Sequence, residues 1–338
     1  MKKIYILCAS LLCFQLSEAQ ITLTTANNSI VLGDVFNRTT TDATSLSPGQ
    51  PGANQTWNFP SLPVQFTDNV TVVAPSTLSD NANHPTANIS DIIMPGNIED
   101  YYISDNTQFS QVGVFIPGTL RITSSDPREI IKYPITFGNT FSETFSQVFT
   151  NFPASQTSNR SGTISITADG YGDLVLPFGT ITNVLRVKNI AIYTDVVVSP
   201  PFTTNVEDTV YFWYNSATHL PILTFQILNS GFGITKTIIA LDQSSVITSL
   251  GDDFIPNNPI TIFPNPTSNN QTTILLDKMY ENAQLQVIDI TGKIVKMENI
   301  SSALKNVTLN LDGLNKGIYF VQIIHDNALV SSEKLVLN

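Results

Sequence analysis

Only two cysteines occur in the 338 residues, Cys8 and Cys13, and both fall within the first nineteen positions. The rest of the chain therefore has no means of building a disulfide framework, a thiolate metal site or a cysteine nucleophile. Histidine is nearly as scarce, with three, and charged residues make up only 13% of the chain. No P-loop, GxGxxG, HExxH or GxSxG element is present, so the common nucleotide, zinc-peptidase and serine-hydrolase signatures are missing and no cofactor is expected. Long apolar runs are lacking too. The stretch "IYILCASLLCF" at 4–14 is too short to span a bilayer. Set between Lys2–Lys3 and the small-residue end "SEA" at 17–19, it reads as a signal peptide over residues 1–19, leaving no membrane span in the mature chain. Cys8 and Cys13 each follow a leucine, which argues against a lipidated cysteine. A basic surplus is also absent. The net charge of −11 speaks for solubility and against charge-driven binding to nucleic acid or an anionic membrane face.

What the chain has in plenty is alternation. In "NVLRVKNIAIYTDVVV", Val184, Arg186, Lys188 and Ile190 share one face, while Leu185, Val187, Asn189 and Ala191 share the other. The runs "VEDTVYFWYN" and "HLPILTFQIL" repeat the pattern, and "TFSETFSQVFTNF" reads as a strand through Phe141, Phe145 and Phe149. Turn signals separate these runs: "SPGQPG" at 47–52, "MPG" at 94–96, "IPG" at 116–118, "FGN" at 137–139 and "ADGYG" at 168–172. The class is all-β: a large antiparallel domain, curved sheet or sandwich, over 20–248, then a second block over 260–338. Between them, "SLGDDFIPNNP" at 249–259 combines adjacent acids, two prolines and Asn–Asn, and predicts an exposed linker. In the second block, "DITGK" at 289–293 predicts a hairpin with Thr291–Gly292 as a two-residue turn. Gly317 is expected to turn the chain tightly into "IYFVQII".

The second block opens with "FPNPTS" (Pro264, Asn265, Pro266) and continues through "VIDITGK" with Gly292 and Lys293. It then takes in "LNLDGLNKGIYFVQI" with Leu314, Gly317 and Tyr319, and closes on "EKLVLN" with Lys334. In this order and at this place, residues 260–338 resemble the type A C-terminal sorting domain of the type IX secretion system. The resemblance implies a seven-stranded immunoglobulin-like sandwich, read by an outer-membrane translocon and its sorting peptidase. It also implies a route through the periplasm to the cell surface or the medium. The eight residues Pro264, Asn265, Pro266, Gly292, Lys293, Gly317, Tyr319 and Lys334 would then be address features. In purely physical terms, the prolines block edge pairing and the glycines serve turns; both readings can hold together.

For the central cargo, "GANQTWNFPSL" at 52–62 and "DGYGDLVLPFGTITNVLRVK" at 169–188 resemble segments of secreted proteins that bear the same tail. The second, with "DTVYFWYNSATHLPILTF", is also similar to the curved sheets of lipoprotein-carrier half-barrels, a likeness that carries no reactive group. His84 and His219 stand 135 positions apart without a nucleophile motif. The pairs Glu99–Asp100 and Glu207–Asp208 should point to opposite faces of their strands, so neither can supply two converging carboxylates. Asp169 and Asp173, bracketing "GYG", could hold Ca²⁺, but an ordinary turn with solvated carboxylates is the preferred reading. The run "YFWY" at 211–214 sets Tyr211 with Trp213 on one face. On an open sheet face these rings would stack against a surface glycan or envelope polymer. With both faces covered, the run is instead a core strand with Trp57 packed nearby, and this reading is preferred. The sequence thus predicts a secreted, non-enzymatic binding or structural module. The alternative is an extracellular hydrolase of polysaccharide or peptide polymers.

Overall fold

Thr, Val, Ile, Phe and Tyr at period two favour extended chain, and short Gly/Pro turns favour pairing of sequence neighbours. The computed structural model follows that logic; it describes residues 21–250, 254–256, 260–276, 280, 283–300, 306–325 and 328–338. The expected signal peptide lies outside the described residues. The strands are β1 (Thr22–Leu23), β2 (Val35–Asp42), β3 (Gly52–Asn58), β4 (Phe66–Val73), β5 (Ile89–Met94), β6 (Ile98–Ser104), β7 (Gln108–Ile116) and β8 (Leu120–Lys132). Next come β9 (Ile135–Thr136), β10 (Thr140–Asn151), β11 (Gln156–Leu176), β12 (Gly179–Val197), β13 (Phe202–Asn215), β14 (Leu223–Asn229), β15 (Ile234–Leu241) and β16 (Phe254–Pro256).

Among the described residues, twelve of these strands form a ring, because β11 pairs with both β10 and β12 while β15 pairs with β2. Going round the ring, the order is β2, β4 to β8, then β10 to β15. It is an up-and-down antiparallel barrel, closed by the register Thr39↔Ala240 between its first and last strands. The outward residues of β10 and β11 meet as Ser142↔Ser165, Thr144↔Thr163 and Ser146↔Ser161, a wet face. Residues 43–65 leave the ring between β2 and β4 and run over the outside of β12 to β15. There β3 adds in parallel to β11, and Trp57 and Phe59 pack on Trp213. At one mouth, residues 21–34 form a cap: Leu23 and Ile30 enter the barrel's apolar cluster. Asn28 donates to the Asn215 and Thr218 carbonyls at 2.7 and 3.0 Å, and Tyr133 Oη donates to the Asn28 carbonyl at 2.6 Å.

Two expectations are corrected here. "ADGYG" is not a turn but the middle of β11, which continues through it with register shifts at Ala168/Gly170 and Gly172/Leu174. A Cβ on Gly172 would stand 1.9 Å from the Gln55 carbonyl oxygen, so the glycine serves the close approach of β3. The stretch 249–259 is not simply an open linker. Residues 249–250 end a helix (Gln243–Leu250), and β16 pairs with β12 as Gly179↔Pro256 to Ile181↔Phe254. β13 leaves the edge of β12 at Val184, and the unpaired edge it exposes recruits β16. Residues 251–253 and 257–259 lie outside the described residues.

The tail strands are β17 (Ile260–Phe263), β18 (Gln271–Leu276), β19 (Ala283–Asp289), β20 (Ile294–Ile300), β21 (Asn306–Asn310), β22 (Gly317–His325) and β23 (Ala328–Leu337). They make one sheet in the order β17-β18-β21 and another in the order β20-β19-β22-β23. Ile274, Leu276 and Leu309 of the first share a core with Leu285, Val287, Val321, Ile323 and Leu335 of the second, a small β-sandwich. On the other face of the first sheet, Phe263 and Leu275 join the cargo's apolar cluster.

Candidate functional site

Asp208, Val210, Phe212 and Tyr214 alternate along β13 toward the barrel interior, as do Thr224 and Gln226 on β14 and Thr237 and Ile239 on β15. These side chains face Tyr102, Phe109, Gln111, Arg128 and Ile130 from β6 to β8 on the far wall. The two walls do not fill the space between them. Two adjoining cavities of about 210 and 220 Å³ remain, sharing Ile130, Phe212, Thr224 and Ile239 as common lining.

The interior is apolar at its middle and charged beyond, and the guanidinium groups of Arg38 and Arg128 are each paired with a carboxylate. Arg128 Nη2 spans the lumen to Asp208 Oδ2 at 2.7 Å, and Gln226 Nε2 donates to the other oxygen at 2.8 Å. Arg38 grips Asp68 through two bonds of 2.7 and 3.0 Å. At the capped mouth, His219 Nδ1 meets Asp34 Oδ2 at 2.7 Å. Asn189 Nδ2 also ties β12 to β8 by donating to the Ile130 carbonyl at 2.7 Å. Asp91 and Asp100 stand opposite one another on β5 and β6. Burial pushes the Asp100 carboxyl up to about 6, against the pull of Arg38 and the bond from Gln111. Burial and the Asp100 charge push Asp91 well above the usual carboxylate range. Burial also raises Glu129, with Lys132 acting in the opposite sense. No motif marks these residues. The available signal is that a chain poor in charge places Arg38, Asp68, Asp91, Asp100, Arg128 and Asp208 in the middle of strands.

Of the two readings of the aromatic run, the burial matches the core strand, the one preferred from the sequence. Trp213 is 0% exposed, edge-on to Trp57 at 5.9 Å and to Phe59 at 5.7 Å, and Tyr211 is half-buried beside it. The strap 43–65 covers the face that an open sheet would have offered to a sugar. Asp169 is no solvated turn residue either, since Arg186 holds both its oxygens at 2.7 and 3.0 Å. Asp173 stands opposite Thr56 of β3, beyond a bulge. No group of three metal-ligating side chains occurs among the described residues. The histidines occupy separate places: His84 is buried outside the barrel, stacked on Tyr101 at 4.0 Å and 3.1 Å from Asp80, where burial lowers its pKa. Glu99 faces that outer cluster, accepting from Ser79 and Tyr101, while its neighbour Asp100 faces in.

In the tail, registry gathers the address residues at one end of the four-stranded sheet. Ile288, Phe320 and Lys334 form one row, Asp289, Tyr319 and Leu335 the next, and Gly317 pairs with Leu337. Asn265 reaches this end from the start of the domain: its Nδ2 donates to the Lys334 carbonyl at 2.5 Å, and its Oδ1 accepts from Val336 N at 2.9 Å. Flanking it, Pro264 accepts from Thr272 Oγ1 at 3.0 Å. Beyond Pro266, Thr267 continues the contact, donating to the Val336 carbonyl at 2.9 Å. Tyr319 Oη donates to the Asn315 carbonyl at 2.7 Å, and the side chains of Lys293 and Lys334 are exposed.

The turn before Lys293 differs from expectation. Gly292 N donates to the Asp289 carbonyl, so Ile290 and Thr291 are its centre, and Gly292 follows at φ +84°. Asp289 Oδ1 accepts from Thr291 N and Lys293 N, a role the sequence reading missed although Asp two before Thr is an Asx-turn signal. Gly317 has no positive φ; the left-handed position upstream of β22 is Gly313, at +85°.

No helix among the described residues is long and apolar enough to cross a membrane. Comparison with curated proteins and with solved structures finds no match for the chain. Residues 261–338 match the family described as Secretion system C-terminal sorting domain. The chain thus carries a type IX sorting tail, which supports its export to the cell surface or extracellular space by that machinery.

Proposed function

We propose that the cargo is a non-enzymatic binding module: a β-barrel that takes a small molecule into its lumen and is carried outside the cell by its tail. The observation that carries this reading is the pair of adjoining lumen cavities. A chain that packs Trp213, Phe225 and Leu223 without residual exposure outside the ring leaves space inside it, lined by half-buried Phe212, Thr224, Thr237 and Ile239. A packed interior would have contributed more to stability, so an unfilled one calls for an occupant. A glycan platform at Tyr211 and Trp213 loses its support from the burial of those rings.

The test is native mass spectrometry of the full chain recovered from secreting cells. A bound small molecule retained by the wild type and lost on filling the lumen with Ile239→Trp supports the reading. A wild type free of adduct that also takes up no small-molecule probe would sink it. For delivery, the reading is passage through the periplasm, recognition by the outer-membrane translocon and removal of the tail by its sorting peptidase. Deleting 260–338 should leave the truncated protein in the periplasm; its arrival at the surface would overturn the route.

A further inference from the structure

We infer that the lumen ligand is an uncharged, largely apolar small molecule. This rests on the proposed lumen site and adds a selectivity to it. Of the acidic and basic side chains lining the two cavities, Arg128 is neutralised by Asp208 and Arg38 by Asp68, while the His219 ring is held by Asp34. Glu129, the remaining one, has its pKa raised by burial, which disfavours its charged form, and Asp91 and Asp100 do not line either cavity. An ion brought into such a space finds no free counter-charge, and an unpaired charge in an apolar enclosure is strongly disfavoured. The centre of the void is Ile130, Phe212, Ile239 and the aliphatic part of Thr224, with Gln111, Gln226 and Thr237 toward one end. That distribution suits an apolar body with a neutral hydrogen-bonding group. The mouth opposite the cap agrees, since Val198, Phe202 and Phe232 at its hairpin tips are 53%, 51% and 78% exposed.

The experiment uses the full chain and three fluorescent probes of one ring type: N-phenyl-1-naphthylamine, its 8-sulfonate, and 1-naphthyltrimethylammonium. The neutral probe should bind at least about tenfold more tightly than either ion, which corresponds to about 1.4 kcal/mol. Thr224→Phe and Thr237→Phe, each checked for a retained melting transition, should expel it. Asp68→Asn removes the one carboxylate bonded to Arg38, leaving Asp91 and Asp100, whose charged forms burial disfavours, and should raise affinity for the sulfonate by roughly tenfold or more. Ionic probes that bind as well as the neutral one, and are expelled by the same fillings, would overturn the selectivity while leaving the lumen site intact. An Asp68→Asn protein still indifferent to the sulfonate would overturn it as well. If no probe binds, or binding ignores both fillings, the lumen site fails and the selectivity with it.

Discussion

Arg186 and Asp169 form a two-bond ion pair, 2.7 and 3.0 Å, on the outer face of the barrel where the guanidinium is almost wholly buried. The same guanidinium donates through Nη1 to the Pro48 and Gly49 carbonyls and lies over the rings of Trp57, Tyr211 and Trp213. It therefore fastens the strap 43–65 to strands β11, β12 and β13 at once. Arg186→Ala leaves a partly buried carboxylate and two carbonyls without this partner, and should cost about 3 kcal/mol in denaturant unfolding. Arg186→Lys should recover little of this, because an ammonium cannot reproduce the planar fork. Near-full stability in the lysine variant would show that the strap is held by its apolar contacts alone.

Trp213→Ala should destabilise the cargo by about 3–5 kcal/mol through the cavity it opens beneath Trp57 and Phe59. Binding to polysaccharides is not expected to depend on it. A variant that keeps wild-type stability and loses a polysaccharide would place the ring at a surface after all.

The strands were legible in the sequence because period two is a local property: residues 184–191 divide into the two faces that alternation assigns them. The order of the ring follows from short turns between neighbours. Closure was not legible, because the register Thr39↔Ala240 joins residues some two hundred positions apart and no local pattern announces it. The glycines of "ADGYG" look like a turn, yet they serve a parallel strand contributed by distant residues 52–58. For the same reason the exposure of Tyr211 and Trp213 depended on a strap whose path the sequence leaves open. The tail was legible as an address by its motifs, but not the meeting of Asn265 with Lys334, which again requires the first and last strands of a domain to be neighbours.

Asp100 carries a stability cost that depends on pH. Its folded-state value of about 6 lies above the ordinary 3.8, so the folded protein binds the proton more tightly than the unfolded chain. Stability from this group is greatest below about pH 4, falls as pH rises toward 6, and is constant above that. Asp100→Asn removes the ionisation while keeping an acceptor for Gln111. It should stabilise the protein by up to about 3 kcal/mol at pH 8, with the advantage gone near pH 4. Melting curves of both proteins across this range check the sign; an Asn variant that is less stable at pH 8 would mean the carboxylate is held by a favourable charge in the lumen.

Asn265 stitches the beginning of the sorting domain to its final strand through the backbone of Lys334 and Val336. Asn265→Ala removes both bonds, should cost the tail about 1–2 kcal/mol, and should unprotect the Val336 amide to hydrogen exchange. Export should fall in parallel if the address is the folded end of the sheet. Lys334→Ala supplies the contrast, because Asn265 engages Lys334 only through its carbonyl, so protection at Val336 should survive. If Lys334→Ala keeps that protection and still cuts the secreted fraction, the exposed ammonium is itself read. If it exports normally while Asn265→Ala does not, the address lies in the shape that Asn265 maintains, and the lysine is a solvated neighbour.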